Sequence, residues 1–169
     1  MRHALRVIVI AVATAAGQAA CRPAGERASD GDSAFAAVQD RGREVMGVDQ
    51  YTSVHVFEDL PDGGRIVLDR ADTADTAGIA TIRAHMRVVA ADFRAGDFTK
   101  PLAVHARDVP GTDVMAAHRD RITYESADRP HGAEVRIRTA DAAAIAAVHR
   151  FLAFQRSDHR AAGHETHEE

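Results

Sequence analysis

The sequence lacks several features that would point directly to a function or a compartment. It contains one cysteine, Cys21, so no internal disulfide can form, and it contains no tryptophan. Its formal net charge of −4 argues against a nucleic-acid partner. Its apolar run over residues 7–16 is too short to span a membrane. The chain has 169 residues, which is enough for one domain with its own core.

The common catalytic and nucleotide-binding motifs are also missing. There is no G-x-S-x-G, no P-loop, no G-x-G-x-x-G and no H-E-x-x-H. Asp92 and Asp158 occupy matching positions near an arginine, each at the end of a predicted helix. This placement favours structural ion pairs over a pair of hydrolytic carboxylates. The sequence therefore favours a protein that is not an enzyme, and a metal-dependent enzyme is the weakest alternative.

The N-terminal segment has the pattern of a bacterial export signal. Two arginines stand in the first six residues, the apolar run follows, and small residues precede Cys21. We expect residues 1–20 to be removed and Cys21 to carry a lipid anchor. Because Arg22 follows the cysteine, we expect the anchored protein to be located at the periplasmic face of the outer membrane. Gln18 stands where a lipoprotein signal usually has leucine, so cleavage after Ala19, which would give a soluble periplasmic protein, is the alternative.

An internal repeat dominates the rest of the chain. Residues 79–94 recur without a gap as residues 145–160. In the first copy, apolar residues spaced by three and four form one stripe of an amphipathic helix: Ile79, Ile82, Met86, Val89 and Phe93. The matching residues of the second copy are Ile145, Val148, Leu152, Gln155 and His159. A strand-turn-strand pattern precedes each copy, so the sequence predicts a duplicated ββα unit.

The predicted fold is α+β, with a four-stranded antiparallel sheet and two long helices on one face. The element order is a circular permutation of the ferredoxin-like order and allows a pseudo-two-fold axis. We place a single domain at residues 33–160, with repeat units at 52–96 and 121–160. An N-terminal helix opens the domain and ends at Gly47. Residues 21–32 are predicted to form a flexible tether, and residues 161–169 a disordered tail.

Histidine is enriched, and the repeat helps to interpret it. His159 and Gln155 replace apolar stripe residues of the first copy, and His85 takes the place of Phe151. A buried polar group needs a partner, and a neutral imidazole can hydrogen-bond to the chain or bind a metal. We expect a metal site or metal-cofactor site whose ligands are His85, His105, His149 and His159, with Met86 and Met115 as outer candidates. A thioether ligand would point to copper, and imidazoles alone suit zinc, copper or haem iron.

The competing interpretation is an interaction module that uses the groove between the two helices, with the histidines as ordinary packing or surface groups. His55 is assigned to the solvent face of the first hairpin, and His131 to a turn. His118 has no assignment. His164 and His167 stand in the acidic tail, where any metal binding would be adventitious.

The chain resembles small exported bacterial proteins without assigned function. The likeness runs roughly from residue 53 to 164 and is carried by four segments: I-R-A-H-M at 82–86, V-H-A-R-D-V-P-G at 104–111, G-A-E-V-R-I-R-T-A-D at 132–141 and A-V-H-R-F-L-A-F-Q-R-S-D-H at 147–159. Such proteins are sometimes labelled aspartate carbamoyltransferase. The sequence does not support that label, because it lacks the Ser-Thr-Arg-Thr loop that carbamoyl phosphate requires.

Overall fold

The structure, a computed structural model, describes residues 24–163, and the side chains of residues 31–163. The elements in chain order are α1 (Ala24–Met46), β1 (Ser53–Leu60), β2 (Gly63–Arg70), α2 (Thr76–Ala95), α3 (Thr99–His105), α4 (Thr112–Ala117), β3 (Thr123–Arg129), β4 (Gly132–Arg138) and α5 (Ala142–His159). Short 3-10 turns precede β1 and β3, at Gln50–Thr52 and Arg119–Arg121. The predicted α+β class is confirmed. Among the described residues, no helix is long and apolar enough to cross a membrane.

The sheet is antiparallel throughout, with the strand order β1-β2-β4-β3. The register of the central strand pair, β2 and β4, is symmetric under a two-fold rotation. Gly63 faces Arg138 at one end of the β2–β4 pair, and Gly132 faces Asp69 at the other. Ile66 faces Val135 between them, so the pseudo-two-fold axis passes through this pair. The duplicated units are therefore arranged symmetrically about the sheet centre.

Each repeat helix packs on the hairpin of the other unit. α2 lies mainly over β3 and β4, whereas α5 lies over β1 and β2. Arg83 on α2 donates hydrogen bonds to backbone carbonyls at the β3–β4 turn, of Arg129 and Gly132. His149 holds the matching position on α5, where its Nε2 lies 3.0 Å from the carbonyl of Leu60 and 2.9 Å from that of Gly63. The exchange of helices makes the two units one cooperative core.

The predicted stripes form that core. Ile82 and Val148 are 1% and 0% exposed, and both belong to the cluster between the helices and the sheet. α2 is capped by Asp75, whose side chain accepts a hydrogen bond from the backbone of Gly78. Gly96 ends the helix with a φ of 78°, a conformation that glycine adopts without strain. Asp141 caps α5 in the same way as Asp75 caps α2.

The duplication extends beyond the ββα unit. When the hairpins are aligned on their turns, Gly63 matches Gly132, and the sequence G-R-E-V-M at 42–46 matches G-T-D-V-M at 111–115. The C-terminal end of α1 therefore corresponds to α4, and Met46 corresponds to Met115. The 3-10 turns match as well, and at the same spacing α3 aligns with residues 30–36 of α1.

Several details differ from the sequence expectations. α1 already covers residues 24–32, predicted as tether, where alanine and glutamate favour helix. α3 is not among the predicted elements because it contains proline, but Pro101 stands in the first helical turn, where proline is tolerated. Ala162, placed in the predicted tail, pairs with β1 at Val56, and residues 164–169 lie outside the described part. The predicted lipidation residue Cys21 also lies outside it.

Candidate functional site

A cavity of about 80 Å³ lies between α2 and α5, above β1 and β2. The end of α1 and the start of α3 close its rim through Met46 and Pro101. Most of its lining is aliphatic or aromatic. The polar side chains that line it are few: His55, His85, His159, Gln155, Asp92 and Lys100. A cavity of this size has room for a few water molecules or one small ligand.

The pseudo-two-fold axis explains why histidines line this cavity. On the other side of the axis, Phe93 packs against Tyr124 and Phe151, with ring centroids 5.8 and 5.7 Å apart. The same three positions in the other half hold imidazoles: His159 matches Phe93, His55 matches Tyr124 and His85 matches Phe151. The His55 and His159 centroids are 5.6 Å apart, close to the Phe93–Tyr124 spacing. Because imidazole is smaller than phenyl or phenol, this half of the core is left with a cavity.

His159 is held through one ring nitrogen, and its other nitrogen has no hydrogen-bond partner among residues 31–163. Its Nδ1 lies 2.8 Å from Oε1 of Gln50, and an amide oxygen only accepts hydrogen bonds. In the neutral tautomer with the proton on Nδ1, the ring donates to this oxygen and keeps its lone pair on Nε2. Burial lowers the pKa of His159 to about 3, assisted by the positive charge that His55 and His105 would carry. A hydrogen bond on one ring nitrogen is also the usual support of a metal-binding histidine.

His55 and His85 are neutral at pH 7 for the same main reason. Burial lowers the pKa of His55 to about 4, repulsion from His85 adds to this, and a backbone contact with Ser53 opposes it. Burial also lowers the pKa of His85 to about 4, with a further lowering from Lys100. Three uncharged imidazoles thus line one cavity, and the uncharged form is the one that binds metals.

His105 lies next to this group but is engaged on both ring nitrogens. Its Nδ1 is 2.6 Å from Oδ2 of Asp158, and its Nε2 is 3.1 Å from Oε1 of Gln155. Its ring centroid is 5.0 Å from that of His159. His105 therefore holds Gln155 against the cavity rather than presenting a free nitrogen to it. Asp158 also pairs with Arg107, which agrees with its assignment as a structural ion pair.

Of the other predicted site residues, Met86 lies at the cavity, whereas His149 and Met115 do not. His149 holds the β1–β2 turn, away from the cavity. Met86 lines the cavity, whereas Met115 is fully buried in the core. His131 is exposed, as expected, and the Nδ1 of His118 contacts Asp141. His164 and His167 lie outside the described residues.

Sequence reasoning missed His55 and Met46. The assignment of His55 to the solvent face is wrong, because its ring stacks on His159 beneath the helices. The signal was in the repeat, since aligning the two hairpins on their turns gives His55 the position of Tyr124, which is 1% exposed in the core. Met46 is brought to the cavity by the packing of α1, which no local pattern shows.

Within residues 24–163, no group of three or more histidine, cysteine, aspartate or glutamate side chains stands close enough to hold a metal ion. The cavity therefore offers donors but not a preformed coordination shell. No protein-family model, curated protein or solved structure matches the chain.

Proposed function

We propose that this domain binds a single transition-metal ion in the cavity, through His55, His85 and His159. The observation that carries the proposal is the replacement of three aromatic core positions by neutral imidazoles around one small cavity. Packing alone would be served better by the phenyl and phenol rings that occupy the other half. The three imidazoles are half-buried, and a half-buried imidazole without full hydrogen bonding is less favourable than an aromatic ring unless a ligand satisfies it.

Binding requires the side chains to turn toward the ion. In the described part of the chain, no hydrogen bond holds the ring of His85. The cavity leaves room for that movement. Its volume of about 80 Å³ also favours an ion over haem, because pockets for larger ligands enclose roughly 300–1,000 Å³. Copper and zinc are the metals that suit imidazole ligands at this scale.

The test is metal-dependent stabilisation of metal-free protein at pH 7.5. Metal that binds only the folded state adds RT ln(1 + [L]/Kd), about 2.7 kcal/mol at a hundredfold excess over Kd. We expect the melting temperature to rise with added zinc or copper. The variants His159→Phe and His85→Phe, which install the residues of the other repeat, should lose the rise. His131→Ala and a chain ending at Gly163 are the controls and should keep it. A rise that survives in His159→Phe but is lost on truncation would show adventitious binding by the tail.

A small apolar ligand is the second candidate, and the nearly apolar lining together with the absence of a preformed donor group among residues 24–163 favours it. The same cavity between α2 and α5 would then be the interaction groove of the domain. Stabilisation by small apolar probes such as benzene or indole, with none by metals, would select this function.

For the cellular localisation, we propose that Cys21 is lipidated and anchors the domain to the periplasmic face of the outer membrane. The supporting pattern is the basic start, the apolar run and the small residues before the cysteine. Labelled palmitate should be incorporated by the wild type and not by Cys21→Ser, which should leave the membrane fraction. A wild type that is wholly soluble, with Ala20 as its first residue, would contradict the anchor.

A further inference from the structure

Two thioethers line the same cavity as the imidazoles. Met86 comes from α2 and is 2% exposed, and Met46 comes from the end of α1. Across the pseudo-two-fold axis, Met86 corresponds to Leu152, a residue of similar volume without sulfur. Met46 corresponds to Met115, which is packed in the core. Among residues 31–163, the half with the histidines therefore also holds the two methionines that line the cavity.

The charge of the lining is the second observation. Its only carboxylate, Asp92, forms an ion pair with Lys100. The remaining polar groups that line the cavity are uncharged imidazoles and the amide of Gln155. The desolvation penalty of an ion rises with the square of its charge, so a divalent cation loses more than a monovalent one in a cavity without an unpaired anionic ligand. A monovalent cation meets a much smaller penalty.

We propose that the ion is copper(I), held by imidazole nitrogens together with the thioether sulfurs of Met46 and Met86. This inference rests on the proposed function and specifies its metal. Soft thioether donors favour copper(I) over harder divalent ions, and the uncharged lining favours the same choice independently. Zinc sites, in contrast, usually include cysteine thiolates or carboxylates, and neither faces this cavity unpaired.

The experiment measures copper(I) affinity of the mature chain without oxygen, by competition with a colorimetric copper(I) chelator. Zinc affinity is measured in parallel, and silver(I) serves as a redox-inert probe. We expect copper(I) to bind at least a hundredfold more tightly than zinc. Met86→Leu and Met46→Leu should each weaken copper(I) binding about tenfold while leaving zinc binding unchanged. Met115→Leu is the matched control at the symmetric position and should change neither affinity.

Methionine methyl resonances provide a readout that a purely structural role would not affect. Silver(I) should shift the ε-methyl signals of Met46 and Met86 but not that of Met115. If the double variant Met46→Leu/Met86→Leu keeps full copper(I) affinity, or if zinc binds as tightly as copper(I), the inference is overturned while the imidazole site stands. If no metal binds, both the inference and the proposed function fail.

Discussion

His149 and Arg83 show how a repeat separates structural from functional polar residues. Both stand at the same position of their helices, and both contact the backbone carbonyls of the other unit's hairpin turn. The sequence prediction grouped His149 with the metal ligands because both repeat helices were expected to face the same core. The histidine keeps the structural role of the arginine, since a ring N–H can replace a guanidinium as hydrogen-bond donor to a carbonyl.

At this position we expect His149→Ala to lower the free energy of unfolding by about 1–2 kcal/mol, because it leaves the carbonyls of Leu60 and Gly63 without their donor. His149→Arg installs the residue of the first repeat and should recover most of that loss. Urea unfolding at pH 7.5 measures both. Metal affinity should be unchanged in both variants, and a weakened affinity in His149→Arg would return this residue to the ligand set.

Among the helices and strands, the sequence predicted those that bury only one face. α2 and α5 each show a stripe of period 3.6, and both hairpins were placed by their turns, since these signals are local. The face of β1 was not readable, because Val56 and Phe57 point to opposite faces and are 6% and 5% exposed. Because two adjacent residues of β1 are buried while Val54 is 53% exposed, the apolar alternation of this strand did not show which face meets the helices, and it could not place His55.

The candidate site was predictable to the same extent. His85 and His159 follow from comparing the two repeat helices, because a polar residue stands where the other copy has an aromatic one. His105 was chosen for its loop, and it contacts the cluster through Gln155 rather than through a free nitrogen. Met46 depends on the tertiary packing of α1, and a single element contains no information about its partner.

Considered as a whole, the molecule has one half with an aromatic core and one half in which histidines line a cavity. Packing in the first half stabilises the fold through Phe93, Tyr124 and Phe151. The second half gives up part of that packing and holds three half-buried imidazoles. The arrangement is expected when a site is maintained at the expense of stability.

This asymmetry makes the metal-free protein sensitive to mild acid. The pKa values of His55, His85 and His159 are lowered to about 4, 4 and 3 in the folded state, whereas a free imidazole has a pKa of about 6.5. Above pH 6.5 the imidazoles are neutral in both states, so their contribution to stability is complete. As the pH falls from 6.5 toward 4, only the unfolded chain takes up protons, and the free energy of unfolding decreases. Each unit of pKa difference corresponds to about 1.4 kcal/mol per group once its window is crossed.

The variant His55→Tyr/His85→Phe/His159→Phe gives this half the aromatic residues of the other and should lose most of that decline. Urea unfolding of the metal-free wild type and triple variant between pH 7.5 and 4.5 measures the decline. The single variant His55→Tyr should remove only the part of the decline that His55 contributes. The titration of the helix-capping aspartates contributes little to the decline between pH 7.5 and 4.5. The pKa of Asp75 is lowered by its hydrogen bond from Gly78, so its contribution is lost only as the pH falls below the ordinary aspartate value of about 3.8. Equal acid losses in the wild type and the triple variant would mean that these imidazoles are hydrated in the folded protein, and the cavity would then be open to water rather than closed around its ligands.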